Sequence, residues 1–223
     1  MLEEKIYKDL KYLVSYPENF SEDRQYALVV FLHGAGTRGE TTFKLRNNGN
    51  MTKLQNSQKG RNYILVAPLC PNGSWYAWMT QLLELVGELR ALPYVDETRL
   101  HLTGNSMGGY ATWEFCCLRS DWVASAMPIC GGGIPGFGQK MVDVPVRAFH
   151  GICDETVDPI ESLEMVKAVN KKGGHAELIL FPQLKHNCWD AVYSNERNID
   201  WLLSFTTNRE KTQVDDYSGA YYG

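Results

Sequence analysis

The chain has 223 residues, of which 44% are hydrophobic and 12% aromatic, and this composition supports a packed core and excludes a disordered chain. Its 22 Lys and Arg residues are outnumbered by 26 Asp and Glu residues, which gives a formal net charge of −4. Because binding to a phosphate backbone needs a basic excess, we do not expect nucleic acid as a partner.

Apolar runs typical of strands alternate along the chain with segments of helical periodicity. The predicted strands cover residues 10–16, 26–32, 63–67, 99–103, 122–130, 144–149 and 176–181. The predicted helices cover residues 75–92, 106–119, 159–171 and 191–205. Strands separated by helices require crossover connections, which build a mostly parallel sheet with helices on both faces. We therefore predict an α/β fold, a three-layer sandwich, formed by residues 1–206 as a single domain.

Two segments depart from this alternation. Residues 39–61 are rich in Asn, Lys, Gln and Gly, and we expect them to form a polar loop above the sheet. Residues 207–223 have no apolar periodicity and are expected to form a flexible tail.

Residues 1–8 lack the apolar run of a secretory signal, and no stretch approaches the roughly 18 apolar residues of a spanning helix. We therefore expect a cytoplasmic protein that does not contact a membrane.

The six cysteines do not follow a disulfide or metal pattern. Cys116 and Cys117 are adjacent within one predicted helix, where their side chains diverge. No CxxC pair or spaced histidine cluster indicates a zinc site. We predict reduced, mostly buried thiols, no bound metal and no cofactor.

A candidate nucleophile follows the predicted strand 99–103. Residues 104–108 (GNSMG) match the GxSxG pattern, and a helix is predicted to begin at once. This turn places the hydroxyl of Ser106 at a helix N-terminus, where free N–H groups favour a developing anion. A GxSxG match arises by chance about 0.09 times in a chain of this composition. The assignment of Ser106 as a nucleophile therefore depends on whether oxyanion donors, an acid and a base are also found.

Attack on an ester carbonyl builds negative charge on the carbonyl oxygen, which needs two fixed N–H donors, together called the oxyanion hole. One donor is expected to be the N–H group of Met107, which follows the nucleophile. The predicted strand 26–32 ends in HGAG (33–36), whose small residues expose N–H groups. We assign Ala35 as the second donor, with Gly34 as the neighbouring possibility, and predict that His33 props this loop.

The general base is expected among the three histidines that follow Ser106. His150 ends a predicted strand and precedes the best acid candidates, and His175 opens a strand after a glycine turn. His186 alone follows the last predicted strand. We therefore predict that His186 is the base.

The acid is expected in the loop after the strand 144–149, which contains Asp154, Glu155 and Asp158. A carboxylate there would accept the Nδ1 proton of the base and fix its tautomer. Asp154 lies nearest to the end of the strand and is the predicted acid. Asp158 precedes a proline and is placed to cap the next helix.

These segments resemble the α/β-hydrolase superfamily, and within it the small esterases of the predicted peptidase, phospholipase/carboxylesterase or polyhydroxybutyrate-depolymerase-like group. The matching segments are FLHGAGTRG (31–39), VAPLCP (66–71), RLHLTGNSMGGYATWE (99–114), PICGGG (128–133), VRAFHGICDETV (146–157) and KHNCWD (185–190). The resemblance implies that Ser106, Asp154 and His186 form a catalytic triad. It also implies that the N–H groups of Ala35 and Met107 are the two oxyanion donors. The family commonly has Pro where this chain has Asp158, which leaves the choice of acid open.

The prediction is a cofactor-free serine hydrolase that cleaves small-molecule carboxylic esters with short or accessible acyl groups. Trp75 and Trp189 are predicted to line the acyl or alcohol pocket, with a core role as the equal alternative. Three other functions are weighed against this one: a serine peptidase with the same triad, a non-catalytic binding module, and an enzyme that depends on Cys153 or Cys188.

Overall fold

A computed structural model describes residues 2–208, and these residues form an eight-stranded sheet with the order β1-β2-β4-β3-β5-β6-β7-β8. β1 and β2 are antiparallel to each other, and β2 is antiparallel to β4. The remaining neighbours pair in parallel. The strands are β1 (Leu2–Tyr7), β2 (Leu10–Ser15), β3 (Tyr26–Leu32), β4 (Tyr63–Pro68), β5 (Val95–Asn105), β6 (Val123–Ile129), β7 (Val146–Gly151) and β8 (Ala176–Phe181).

Helices cover both faces of the sheet, which confirms the predicted three-layer α/β fold. The α-helices are α1 (Phe43–Arg46), α2 (Gly49–Asn56), α3 (Trp75–Arg90), α4 (Met107–Leu118), α5 (Ile160–Asn170), α6 (Trp189–Tyr193) and α7 (Glu196–Leu203). Helices α3, α4 and α5 contribute to the core on one face, and α2, α6 and α7 to the core on the other. Within residues 2–208, no helix combines the length and apolar composition that crossing a membrane requires.

The central strand β3 is apolar without interruption because both of its faces are buried. Leu28 and Val30 belong to the core beneath α3 and α4, whereas Val29 and Phe31 belong to the core beneath α2 and α7. Successive side chains of a strand point to opposite faces, so a strand covered on both faces needs apolar residues at every position. The same argument explains the predicted bounds of this strand, which match the observed bounds.

The polar segment 39–61 differs from the predicted loop, because it contains α1 and α2. Of its four apolar side chains, Leu45, Met51 and Leu54 are buried in the core on the α2 side of the sheet, whereas Phe43 is exposed. The side chain of Asn48 accepts hydrogen bonds from the backbone at the start of α2 and caps that helix. Composition alone favoured a loop, whereas three buried contacts and one cap are enough to order short helices.

Two other elements differ from the prediction. Strand β1 was not predicted, because its sequence LEEKIY is half polar, as expected for a strand at the edge of a sheet. The predicted helix 191–205 divides into α6 and α7 at Asn195, whose side chain accepts a hydrogen bond from the Arg197 N–H group and caps α7. Most of the predicted tail, residues 209–223, lies outside the described residues.

Candidate active site

Ser106 stands in a sharp turn between the end of β5 and the start of α4. Its backbone has φ 55° and ψ −120°, a left-handed conformation that costs a residue with a side chain about 1–3 kcal/mol. The surrounding structure holds it there: the Ser106 N–H group donates to the Ile129 carbonyl of β6 at 2.8 Å, and its carbonyl accepts from Tyr110 N–H at 3.1 Å. This conformation places the hydroxyl beyond the carboxyl end of β5, as the GxSxG pattern predicts.

The glycines on either side of Ser106 let the turn approach β3. A Cβ atom on Gly108 would lie 1.8 Å from the Leu32 carbonyl oxygen, and one on Gly104 would lie 2.4 Å from the Gly108 oxygen. Because backbone atoms cannot move aside as a flexible side chain can, these positions exclude larger residues. The close approach brings the HGAG segment, which follows β3, beside the nucleophile.

The three predicted triad side chains lie in one chain of hydrogen bonds. Nε2 of His186 lies 2.8 Å from Oγ of Ser106, and Nδ1 of His186 lies 2.7 Å from Oδ2 of Asp154. An ionised carboxylate only accepts hydrogen bonds, so Nδ1 carries the ring proton. The lone pair of Nε2 therefore faces the Ser106 hydroxyl, which is the tautomer that a general base requires.

Asp154 is a buried carboxylate held in its charged form. Burial by itself raises the pKa, but hydrogen bonds from the Val157 N–H group, the His186 ring and the Thr156 N–H group outweigh it, and the pKa of Asp154 lies below its usual value. The two N–H groups donate to Oδ1 at 2.9 and 3.0 Å, which leaves Oδ2 for His186. Asp158 instead accepts from the Ile160 N–H group at 2.9 Å at the start of α5, as predicted for a helix cap.

His150 contacts the same carboxylate, which the sequence reasoning did not foresee. Its Nε2 lies 3.1 Å from Oδ2 of Asp154, and its Nδ1 lies 2.8 Å from Oγ of Ser162. Burial lowers the pKa of His150. Its Nε2 faces only acceptors, the Asp154 carboxylate and the Val157 carbonyl at 3.0 Å, so it carries a proton and donates to the carboxylate. Its place at the end of β7 was visible in the sequence, but the partner that it supports was not.

His33 is fully buried and fixes the HGAG loop. Its Nδ1–H donates to the Gly34 carbonyl at 2.8 Å, and its Nε2 accepts from the Cys70 N–H group at 3.0 Å. Burial lowers the pKa of His33 to about 4, so the ring stays neutral and acts as a structural prop, as predicted. In a trans peptide the carbonyl of one residue and the N–H of the next point in opposite directions. Anchoring the Gly34 carbonyl therefore sets the direction of the Ala35 N–H group.

The two predicted oxyanion donors are available. Among residues 2–208, the backbone N–H groups of Ala35 and Met107 donate to no protein acceptor. Met107 begins α4, so its N–H is one of the unpaired donors of a helix N-terminus. The loop before Ala35 touches the turn, because a Cβ on Gly34 would lie 3.5 Å from the Ser106 Cβ.

The two predicted pocket tryptophans have different environments. Trp75 is only 1% exposed, and its Nε1–H donates to the His33 carbonyl at 3.0 Å. This indole packs in the core beneath the HGAG loop, so the assignment of Trp75 to a substrate pocket is corrected to a supporting role. Trp189 is partly exposed and lies edge-on to the His186 ring with centroids 5.1 Å apart. Its contact with substrate stays a prediction.

One group of side chains has the composition of a metal site. Potential ligand atoms of Cys130, His150 and Asp154 lie within 4.8 Å of one another. Both carboxylate oxygens of Asp154 already accept hydrogen bonds, and the His150 ring is held by Ser162 and the carboxylate. Metal coordination would break this network, so we assign no metal to it.

A model described as the alpha/beta hydrolase family matches residues 29–180. The chain belongs to the α/β hydrolase family. This confirms the resemblance inferred from the motifs, and the eight-stranded sheet of the described residues agrees with it.

The proteins to which this chain is similar include several that are named as esterases. The chain is 24% identical over 171 residues to the probable feruloyl esterase C of Aspergillus terreus, a match that covers 74% of this chain and 62% of the relative. A thermostable esterase of known structure is 30% identical, with a TM-score of 0.82, over 92% of this chain and 63% of the other. Est1E from Butyrivibrio proteoclasticus is 15% identical, with a TM-score of 0.67, over 90% and 97% of the two chains, and shares the fold. The chain spans less than two thirds of the length of the first two proteins.

Proposed function

We propose that this protein is a serine hydrolase that cleaves carboxylic esters through an acyl-enzyme on Ser106. One observation carries the proposal: the hydroxyl of Ser106, the ring of His186 and the carboxylate of Asp154 are joined by hydrogen bonds of 2.8 and 2.7 Å. The relatives support ester substrates, since two of the similar proteins are named as esterases.

In the proposed reaction, Oγ of Ser106 attacks the ester carbonyl carbon while Nε2 of His186 takes the hydroxyl proton. Asp154 stabilises the imidazolium that forms. The N–H groups of Ala35 and Met107 donate to the carbonyl oxygen as it becomes an oxyanion, and each such donor typically contributes about 3–4 kcal/mol to lowering the barrier. The imidazolium then protonates the leaving alcohol, and a water activated by the same ring releases the acid.

The proposed substrates are small esters with short or accessible acyl groups. Helix α2 borders the nucleophile, because Nδ2 of Asn50 lies 3.3 Å from Oδ1 of Asn105. The segment 39–61 is thus packed against the fold at this point, and Ser106 beside it is partly exposed. Methyl ferulate belongs among the test substrates because relatives are named probable feruloyl esterase C.

A cytoplasmic location remains a prediction, which cell fractionation tests.

The test compares ester and amide hydrolysis by the same protein. We expect the wild type to cleave p-nitrophenyl acetate with a kcat/KM at least 100-fold above that for an alanine p-nitroanilide. The Ser106→Ala variant is expected to lose ester hydrolysis by about 10⁴-fold or more, with little change in Tm. Faster amide cleavage would favour a peptidase, and no hydrolysis of any ester by well-folded wild type would favour a binding module.

A further inference from the structure

Two buried cysteines from distant parts of the chain meet beside the active site. Sγ of Cys130 and Sγ of Cys188 lie 2.9 Å apart, although 58 positions separate the two residues in the sequence. A disulfide has an S–S length of about 2.05 Å, so a displacement of about 1 Å would bring the sulfurs to bonding distance. Both side chains are 0% exposed, so each sulfur has the other as a fixed neighbour.

The backbones of both residues are held in place. Cys130 follows β6 with φ 48°, and its N–H group donates to the Phe149 carbonyl at 2.8 Å. Cys188 precedes the first residue of α6, and its carbonyl accepts from the Ala191 N–H group at 3.1 Å. The approach of the sulfurs therefore comes from ordered elements on both sides rather than from a loose loop.

The pair links the two halves of the active site. Cys188 lies two residues after His186, in the segment that presents the base. Cys130 follows Ile129, whose carbonyl accepts the N–H hydrogen bond of Ser106 at 2.8 Å. A covalent bond between the sulfurs would tie the segment that carries the base to the strand that holds the nucleophile.

We propose that Cys130 and Cys188 form a redox site, at which a peroxide produces a disulfide that fixes the His186 segment in place. One thiolate attacks a peroxide oxygen; the S–O bond forms, the O–O bond breaks, and the departing hydroxide becomes water on protonation. The second sulfur then attacks the sulfenic acid sulfur, the S–S bond forms and a second water leaves. Two thiols lose two electrons and two protons, and the peroxide takes up both.

Burial of the two sulfurs slows both the oxidation of the thiols and the reduction of the disulfide. The hydrogen bond with Cys130 and burial raise the pKa of the Cys188 thiol, so its thiolate is scarce and oxidation is slower than at the exposed Cys153. The same burial hinders the access of a reductant to the disulfide. Neither the bond nor its test depends on the proposed esterase function, since mass and thermal stability report it directly.

The test uses the Cys153→Ser background, which removes the one exposed thiol within residues 2–208. The protein is treated with hydrogen peroxide, freed of it and digested without reductant. We expect a mass loss of about 2 Da and a cross-linked peptide that joins residues 130 and 188. We also expect Tm to rise by about 5 °C or more, and the rise to disappear on treatment with dithiothreitol. Hydrogen exchange of residues 184–190 is expected to slow in the oxidised form.

Two control variants in the same background, Cys130→Ser and Cys188→Ser, remove one partner each, so a folding defect in one leaves the other as the control. Both are expected to show no cross-link and no increase in Tm after peroxide. A cross-link between other cysteines, or oxidation of residues 130 and 188 only to sulfinic acid, would overturn the proposal. A disulfide at these positions that leaves both Tm and hydrogen exchange unchanged would overturn the claim that it fixes the His186 segment.

Discussion

Replacing Asp154 with Asn changes the charge of the acid while preserving its shape. The N–H groups of Thr156 and Val157 both donate to Oδ1 of Asp154, and an amide oxygen at that position would still accept them. The amide nitrogen then takes the place of Oδ2, between His186 and His150. Because an amide nitrogen is a donor, it cannot accept the Nδ1 proton of His186.

The consequence is a reversed tautomer of the base. Nδ1 of His186 must accept a hydrogen bond from the new amide, so the ring proton moves to Nε2, which faces Oγ of Ser106 at 2.8 Å. A protonated Nε2 cannot take the serine proton. Loss of the correct tautomer in a triad of this kind costs about 10⁴-fold in kcat, or about 5 kcal/mol at 1.36 kcal/mol per tenfold.

The assay is kcat/KM for p-nitrophenyl acetate, with Asp158→Asn as the matched control. Asp158 caps α5 through the Ile160 N–H group, and Asn caps a helix as well as Asp does. The control is therefore expected to keep its activity within about twofold and its Tm within a few degrees. Activity of Asp154→Asn within tenfold of wild type, or a larger loss in Asp158→Asn, would refute this reasoning.

Two further predictions concern stability. Gly108→Ala places a Cβ 1.8 Å from the Leu32 carbonyl oxygen and is expected to lower the free energy of unfolding, measured by urea titration, by about 3 kcal/mol or more. Gly36→Ala is the control, because a Cβ at Gly36 meets nothing within 4 Å. Equal losses of unfolding free energy in the two variants would contradict the packing argument. The His33 pKa is lowered from 6.5 to about 4, so the unfolded chain takes up this proton first as the pH falls. His33 therefore contributes a loss of about 3 kcal/mol in unfolding free energy between pH 6.5 and 4, and a His33→Gln variant with the same pH slope as wild type would contradict this.

The sequence was most informative where one physical requirement dominates. Strand β3 is buried on both faces, so its apolar run had no other interpretation, and its predicted bounds match the structure. The turn at Ser106 was predictable because glycines must stand where backbones touch, and Gly108 meets the Leu32 carbonyl. The order of nucleophile, acid and base along the chain then limited the partners to loops after β7 and β8.

The features that escaped prediction depend on how side chains are arranged in three dimensions, which local sequence patterns do not report. Helix α2 owes its burial to apolar residues spaced among polar ones, which a composition argument averages away. The contact between His150 and Asp154 joins the end of β7 to the loop that follows it, and no local pattern reports which nitrogen faces which oxygen. The approach of Cys130 to Cys188 requires the full order of the sheet, since the two residues follow different strands.

The most direct test of the account is to identify the residue that becomes covalently modified during turnover. The protein is treated with a fluorophosphonate, or quenched with acid during hydrolysis of p-nitrophenyl acetate, and its peptides are mapped by mass spectrometry. We expect one adduct, on Ser106, and its absence from Ser106→Ala. A folded protein that hydrolyses the ester with no adduct on Ser106, or with the adduct on another residue, would contradict the central claim.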